Sequence, residues 1–228
     1  MNRPYILIKV AVSLDGCIDD RIDRRLILSN LEDQEAVDAL KSTFDAILVG
    51  AETIRKDNPS LLIKSELHQS ERLKKGMSQH PCKVTLTCSG DLDPMSRFFQ
   101  DDGTKKWIYC PQFLEKSLQK KFSYLAQVVG LPGDIPRLVD LISDLKNRGI
   151  SRLMVEGGAW IQRLFLQSGC VDAMRIAIAP IFVGDRDAPR LASSRIIRMK
   201  LKQMENLGDR VILHYELPVE PRSRLCEE

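Results

Sequence analysis

Histidine is scarce in this chain, and nothing is spaced like a metal site. Only His68, His80 and His214 occur, far apart, and none of Cys17, Cys82, Cys88, Cys110, Cys170 and Cys226 belongs to a CxxC pair. That argues against a metal centre and against a Ser/His/Asp hydrolase. Most of the cysteines sit in or beside apolar runs, where reduced thiols serve as small hydrophobes rather than as disulfides. No apolar stretch approaches the roughly 20 residues a spanning helix needs, and no basic-then-apolar leader follows Met1. A soluble, cytoplasmic protein without a membrane partner is expected. A one-sided charge is missing too: 34 Lys+Arg stand against 31 Asp+Glu and are spread along the chain, whereas a nucleic-acid binder concentrates its basic residues on one face. No nucleic-acid partner is expected; anionic small molecules remain suitable ligands.

What is present is enough chain, 228 residues and 43% hydrophobic, to bury a substantial core in one α/β domain. We expect a single domain over residues 1–218 and a loose tail over 219–228. Residues 5–12 (YILIKVAV) read as a buried strand ending in the turn-prone SLDG of residues 13–16. Ser29 and Glu32 have capping-box spacing ahead of a helix, and residues 46–49 (AILV) form a second buried strand. A short helix over 51–56 stops before Asp57-Asn58-Pro59, because proline biases its predecessor away from helix. Residues 65–80 are polar and weakly periodic and read as a surface excursion. Strands are expected at 83–87, 107–110, 126–129, 152–155 and 173–179. Helices are expected at 135–148, capped by Asp134, and at 159–168, closed by Gly169. A hairpin over 199–217 turns at Gly208-Asp209. The alternation predicts a mixed, mainly parallel sheet with helices on both faces and an antiparallel C-terminal hairpin.

Against that background Lys9 stands out, since it interrupts a strand of Ile, Leu and Val and a buried ammonium is costly unless paired. An edge strand or a snorkelling side chain accounts for it as well as a site role does. Glu156 ends a buried strand immediately before Gly157-Gly158, where open α/β sheets place ligands, although on the residues alone an ordinary strand-end carboxylate is the better reading. Gly157-Gly158 opens a helix whose first N–H groups suit a phosphate. It is neither GxGxxG nor GxxxxGK[ST], and simple turn chemistry also explains it. Residues 50–53 (GAET) make a second strand–glycine–helix junction. Lys41 and Lys64 are candidate phosphate partners or plain solvated charges.

Three stretches taken together, residues 9–16 (KVAVSLDG), 45–61 (DAILVGAETIRKDNPSL) and 155–158 (VEGG) with Val171-Asp172 and Ala179-Pro180, resemble the reductase domain of the riboflavin-biosynthesis deaminase/reductases and their stand-alone relatives. The resemblance implies a three-layer, dihydrofolate-reductase-like fold and NADPH-dependent reduction of a ribosylaminopyrimidine 5′-phosphate to its ribityl product. By the same resemblance Lys9 and Glu156 approach the ribosyl group, and Ala11, Thr53, Asp57, Ser89, Gly157 and Gly158 line the NADPH site. Lys41, Asp57, Leu61 and Lys64 lie along the substrate. A homodimer is implied.

Two departures stand out. Arg25 and Ile27 occupy the place of the family's usual Ser and Trp, and Lys41 and Lys64 stand where arginines are common, keeping the charge without the bidentate fork. No PCxxC follows any His-x-Glu, so the zinc deaminase half is expected to be absent, with a separate deaminase and phosphatase completing the pathway. Two other readings share these residues: a reductase of the same fold acting on another pteridine or pyrimidine, and a nucleotide-binding paralogue without activity.

Overall fold

The computed structural model describes residues 3–22, 26–191 and 196–218. Two compact units are present, one drawn from residues 1–4 and 38–154 and the other from 5–37 and 155–228. Their secondary structure is α/β, with nine strands among the described residues. Among the described residues no helix is long and apolar enough to cross a membrane.

In the first unit β2 (Ala46–Gly50), β3 (Cys82–Leu86), β4 (Lys106–Pro111) and β5 (Gln127–Leu131) pair in parallel, each with the next. β6 (Arg152–Glu156) flanks β2. The strands of this sheet are short apolar runs, and every residue of β2 and β4 is buried, as expected where both faces of a parallel sheet are covered. Helix α2 (Ala51–Asp57) follows β2 directly and ends at Asn58, whose φ of 44° lies in the left-handed region.

Residues 65–80, expected as a weakly periodic surface excursion, contain α3 (Glu66–Lys74). Ser65 caps it, accepting from the His68 N–H. The helix is almost wholly polar and so gives no apolar stripe. Its anchor is Arg72, 1% exposed, which donates to the carbonyls of Ser42, Phe44 and Ser78 at 2.9, 2.7 and 2.8 Å. Helix α4 (Gln112–Phe122) also carries little signal, burying only Leu118 and Phe122. Helix α5 (Leu138–Asn147) starts three residues later than the sequence suggests and is not capped by Asp134. Its buried stripe of Leu138, Leu141, Ile142 and Leu145 begins at Leu138, while Ile135 is exposed.

In the second unit the order is β6, β1 (Tyr5–Ser13), β7 (Ala173–Ala179), β9 (Arg210–Glu216), β8 (Lys200–Leu207). β1 and β7 are parallel, whereas β9 is antiparallel to both β7 and β8, giving the expected hairpin. Helix α6 (Ala159–Ser168) ends at Gly169 in the left-handed conformation. Helix α1 (Leu31–Lys41) is capped by Asn30 rather than Ser29: the Asn30 Oδ1 accepts from the Asp33 N–H at 2.8 Å. Asn30 Nδ2 in turn donates to the Leu207 carbonyl at 2.9 Å, fixing the helix start to the hairpin turn.

The first unit also buries a charge cluster at the amino ends of β3 and β4. Lys83, 1% exposed at its side chain, and Lys106, in register on the next strand, both bond the Asp102 carboxylate. Burial raises the Asp102 pKa, but the hydrogen bonds from Lys83, Thr104 and Lys106 outweigh it and bring the group from 3.8 to about 2. The folded state therefore binds fewer protons than the unfolded state between those values, so this contribution is complete above about pH 4 and is lost as pH falls towards 2. Asp102→Asn, which strands two buried cations, is expected to lower unfolding free energy by about 3 kcal/mol. It should also flatten the acid limb of a urea-denaturation pH series.

Candidate functional site

β1 is a central strand, with β6 on one side and β7 on the other, so an edge position does not explain Lys9. On one face of β1, Ile6, Ile8, Val10 and Val12 are all buried; on the other, Leu7 and Ser13 are buried while Lys9 and Ala11 are half-exposed. The strand thus opens to solvent at these two positions. Among the described residues the Lys9 side chain makes no hydrogen bond or ion pair. Glu156, the last residue of neighbouring β6, is also half-exposed, as are Gly157 and Gly158 after it. The structure therefore brings Lys9, Ala11, Glu156, Gly157 and Gly158 onto adjacent strands and the turn that follows.

That turn has a local cause. Gly157 and Gly158 have φ of 83° and 72°, a conformation that costs an L side chain roughly 1–2 kcal/mol. It reverses the chain at the strand end so that α6 starts at once, with a glycine N-cap that supplies no side-chain hydrogen bond. The ten-residue helix presents main-chain N–H groups and the positive end of its dipole, which fits a phosphate of a dinucleotide.

The carboxyl end of β1 is fastened by Asp15. Its carboxylate accepts from the Ser13 hydroxyl at 2.6 Å and from the Gly184 and Val183 amides at 2.9 and 3.1 Å. Those bonds hold it well below the usual carboxylate range. The Leu14 amide donates to the Ile181 carbonyl at 2.8 Å. The loops leaving the parallel strands β1 and β7 are thereby tied together.

The first unit holds the other expected residues. Thr53, buried on α2, and Asp57, its last residue, follow β2; exposed Ser89 follows β3, the next parallel strand. Arg55 donates to the Asp91 carbonyl at 2.6 Å and Asn58 accepts from the Arg97 N–H at 2.6 Å, so the two post-strand segments are joined. Leu61 is buried with φ of 58°, a left-handed non-glycine residue. Asp38 organises the neighbourhood of the two lysines. It is 8% exposed, and its carboxylate accepts from the backbone N–H groups of Lys64 at 2.9 Å and Ser65 at 2.7 Å. Lys41 lies one helical turn further along α1, on the face Asp38 occupies. Lys41 and exposed Lys64 thus share one neighbourhood. Arg25 lies outside the described residues, as do residues 219–228; Ile27 is 67% exposed.

Sequence reasoning missed Asp15, Asp38 and a buried pair beside Lys9. Arg175 of β7 is the in-register partner of Lys9 and meets Asp33 of α1 at 2.7 Å, with side chains 2% and 0% exposed. Its signal was the one that marked Lys9, a cation inside an apolar strand.

A half-exposed lysine within β1, a half-exposed glutamate at the end of neighbouring β6 and a glycine-capped helix after it belong to an α/β protein with a mainly parallel sheet, a class whose ligands generally meet the carboxyl ends of the strands. The same fold occurs in a pyrimidine reductase-like protein from Corynebacterium diphtheriae, with a TM-score of 0.85 at 22% identity over 96% of this chain and 94% of that one. The chain belongs to the RibD C-terminal domain family, which matches residues 4–213. It is 30% identical to the 2,5-diamino-6-ribosylamino-4(3H)-pyrimidinone 5′-phosphate reductase of Archaeoglobus fulgidus over 91% of this chain and 95% of that protein. It is 31% identical to the riboflavin biosynthesis protein RibD of Bacillus amyloliquefaciens, over 83% of this chain and 49% of that one.

Asp38→Ala removes a buried charged acceptor from two amides, and a loss of about 2 kcal/mol of unfolding free energy is expected in urea titration.

Proposed function

We propose that this protein reduces 2,5-diamino-6-ribosylamino-4(3H)-pyrimidinone 5′-phosphate to its ribitylamino product with NADPH, in riboflavin biosynthesis. The observation that carries the reading is the opening of a doubly buried central strand at Lys9 and Ala11, beside Glu156 and its glycine turn. Relatives named for that reductase, matched over most of both chains, support the substrate choice. The resemblance in sequence further implies a homodimer, and the composition and missing zinc-deaminase motif support a cytoplasmic protein that works beside a separate deaminase and phosphatase.

NADPH would supply a hydride to C1′ of the sugar. Gly157, Gly158 and the first turn of α6 would hold its phosphates through main-chain N–H groups, and Thr53, Asp57, Ser89 and Ala11 would line the remainder. Lys41 and Lys64 hold the substrate phosphate as point charges, and Asp57 and Leu61 lie along the substrate. Lys9 and Glu156 orient the ribosyl chain as its C1′–ring-oxygen bond breaks to leave a C1′ imine, and they assist the proton that passes from the amino nitrogen to that oxygen; reduction then adds the hydride at C1′ and a proton from solvent at the nitrogen. Beyond these groups the reaction asks mainly for alignment.

Turnover is read from the loss of reduced-nicotinamide absorbance with the 2,5-diamino and the deaminated substrate supplied separately. Oxidation with the former is expected, and silence with both would refute the proposal. Lys9→Met and Glu156→Gln should each lower kcat by about 100-fold or more. Lys41→Ala and Lys64→Ala should instead raise the substrate KM, about tenfold each, which corresponds to ~1.4 kcal/mol of lost binding.

A further inference from the structure

We infer that Arg175 and Asp33 are positioning residues that keep the Lys9 ammonium free for the substrate. The inference rests on the proposed role of Lys9. Lys9 and Arg175 are in-register partners on parallel neighbours, so their side chains leave the same face of the sheet, one strand spacing of about 4.8 Å apart. Asp33 descends onto that face from α1 and meets Arg175 Nη2 at 2.7 Å.

The pair is not saturated. Asp33 Oδ2 and Arg175 Nη1 are both buried and have no hydrogen-bond partner among the described residues. Asp33 therefore keeps an unused acceptor within the same layer as a half-buried lysine that has no carboxylate of its own among the described residues. A carboxylate buried to this degree takes a cation wherever one is in reach. Arg175 fills that role and, as a like charge beside Lys9, turns the ammonium away from α1 towards the opening of the strand. On the far side of Arg175, His214 of β9 is its in-register partner and bonds Glu205 of β8 at 2.9 Å, so that carboxylate too is engaged. Were Arg175 neutral, Asp33 would recruit Lys9 and withdraw it from the sugar.

The experiment is a charge cycle on the full chain, assayed with NADPH and the 2,5-diamino substrate, with each variant's fold checked by circular dichroism and urea titration. Arg175→Met is expected to lower kcat at least tenfold with little change in either KM. Adding Asp33→Asn removes the competing carboxylate and should return kcat to within about fivefold of the parent. Arg175→Lys keeps the charge and should retain turnover even if Arg175→Met does not fold. A purely structural pair predicts otherwise: stability and kcat falling together in Arg175→Met, with no recovery in the double variant. That result, or a folded Arg175→Met with parental kcat, overturns the inference while the reductase reading stands. If Lys9→Met itself turns over like the parent, the role of Lys9 falls and the inference with it.

Discussion

Burial of β1 on both sides is the constraint from which the site follows. A strand between two parallel neighbours has no solvent edge, so any charge in it must be paired or exposed through an opening. β1 meets that demand with one cation at Lys9, at the half-exposed stretch of one face. β7 meets it differently, by burying Arg175 against Asp33. Two adjacent cations on the same face thus have opposite fates, one neutralised inside the fold and one left for solvent or ligand. Hydrophobic packing alone favours neither residue, which is why their joint presence reads as chemistry rather than as core.

The strand ends are rigid for a related reason. Parallel strands deliver their carboxyl ends to one side, where the chain must turn without a ladder to satisfy its amides. Here side chains and carbonyls take over: Asp15 accepts two amides of the loop after β7, Asp38 accepts those of Lys64 and Ser65, and Asn58 accepts that of Arg97. The hydride transfer proposed for this chain depends on alignment and would gain from such fixed loops, since small displacements of the reacting groups cost rate steeply.

Most strands were legible in the sequence because they are short β-branched or apolar runs with no competing period, polar β8 was legible only through the turn at Gly208-Asp209, and the glycine turn at residues 157–158 with its helix was legible because positive φ selects glycine. Helix α3 was not, because its one buried anchor is an arginine satisfied by three backbone carbonyls, a tertiary fact with no local signature. The start of α5 was misplaced because Asp134 and Pro136 mimic a helix entrance while residues 133–136 form a turn instead. In the site, Lys9 and Glu156 were visible as misfits in buried strands. Arg175 was equally a misfit, yet its partner lies 142 residues away on α1, and no spacing rule connects them.

Residues 58–61 show how far the surroundings can override local preference. Asn58 and Leu61 both adopt positive φ, at 44° and 58°, and for leucine that conformation costs on the order of 1 kcal/mol or more. Asn tolerates it readily; a buried leucine does so only if its neighbours leave no alternative. Those neighbours are fixed on both sides: Asn58 by the Arg97 amide, and the chain after Leu61 by His80, which accepts from the Ile63 N–H, and by Gln69, which donates to the Ile63 carbonyl at 2.7 Å. The result is a segment stiff enough to present Lys64 at a set distance from α1 through Asp38. A lysine has a flexible stem and no planar fork, so the phosphate site proposed for Lys41 and Lys64 would have to draw its precision from the backbone that carries them, of which the turn at Leu61 is part.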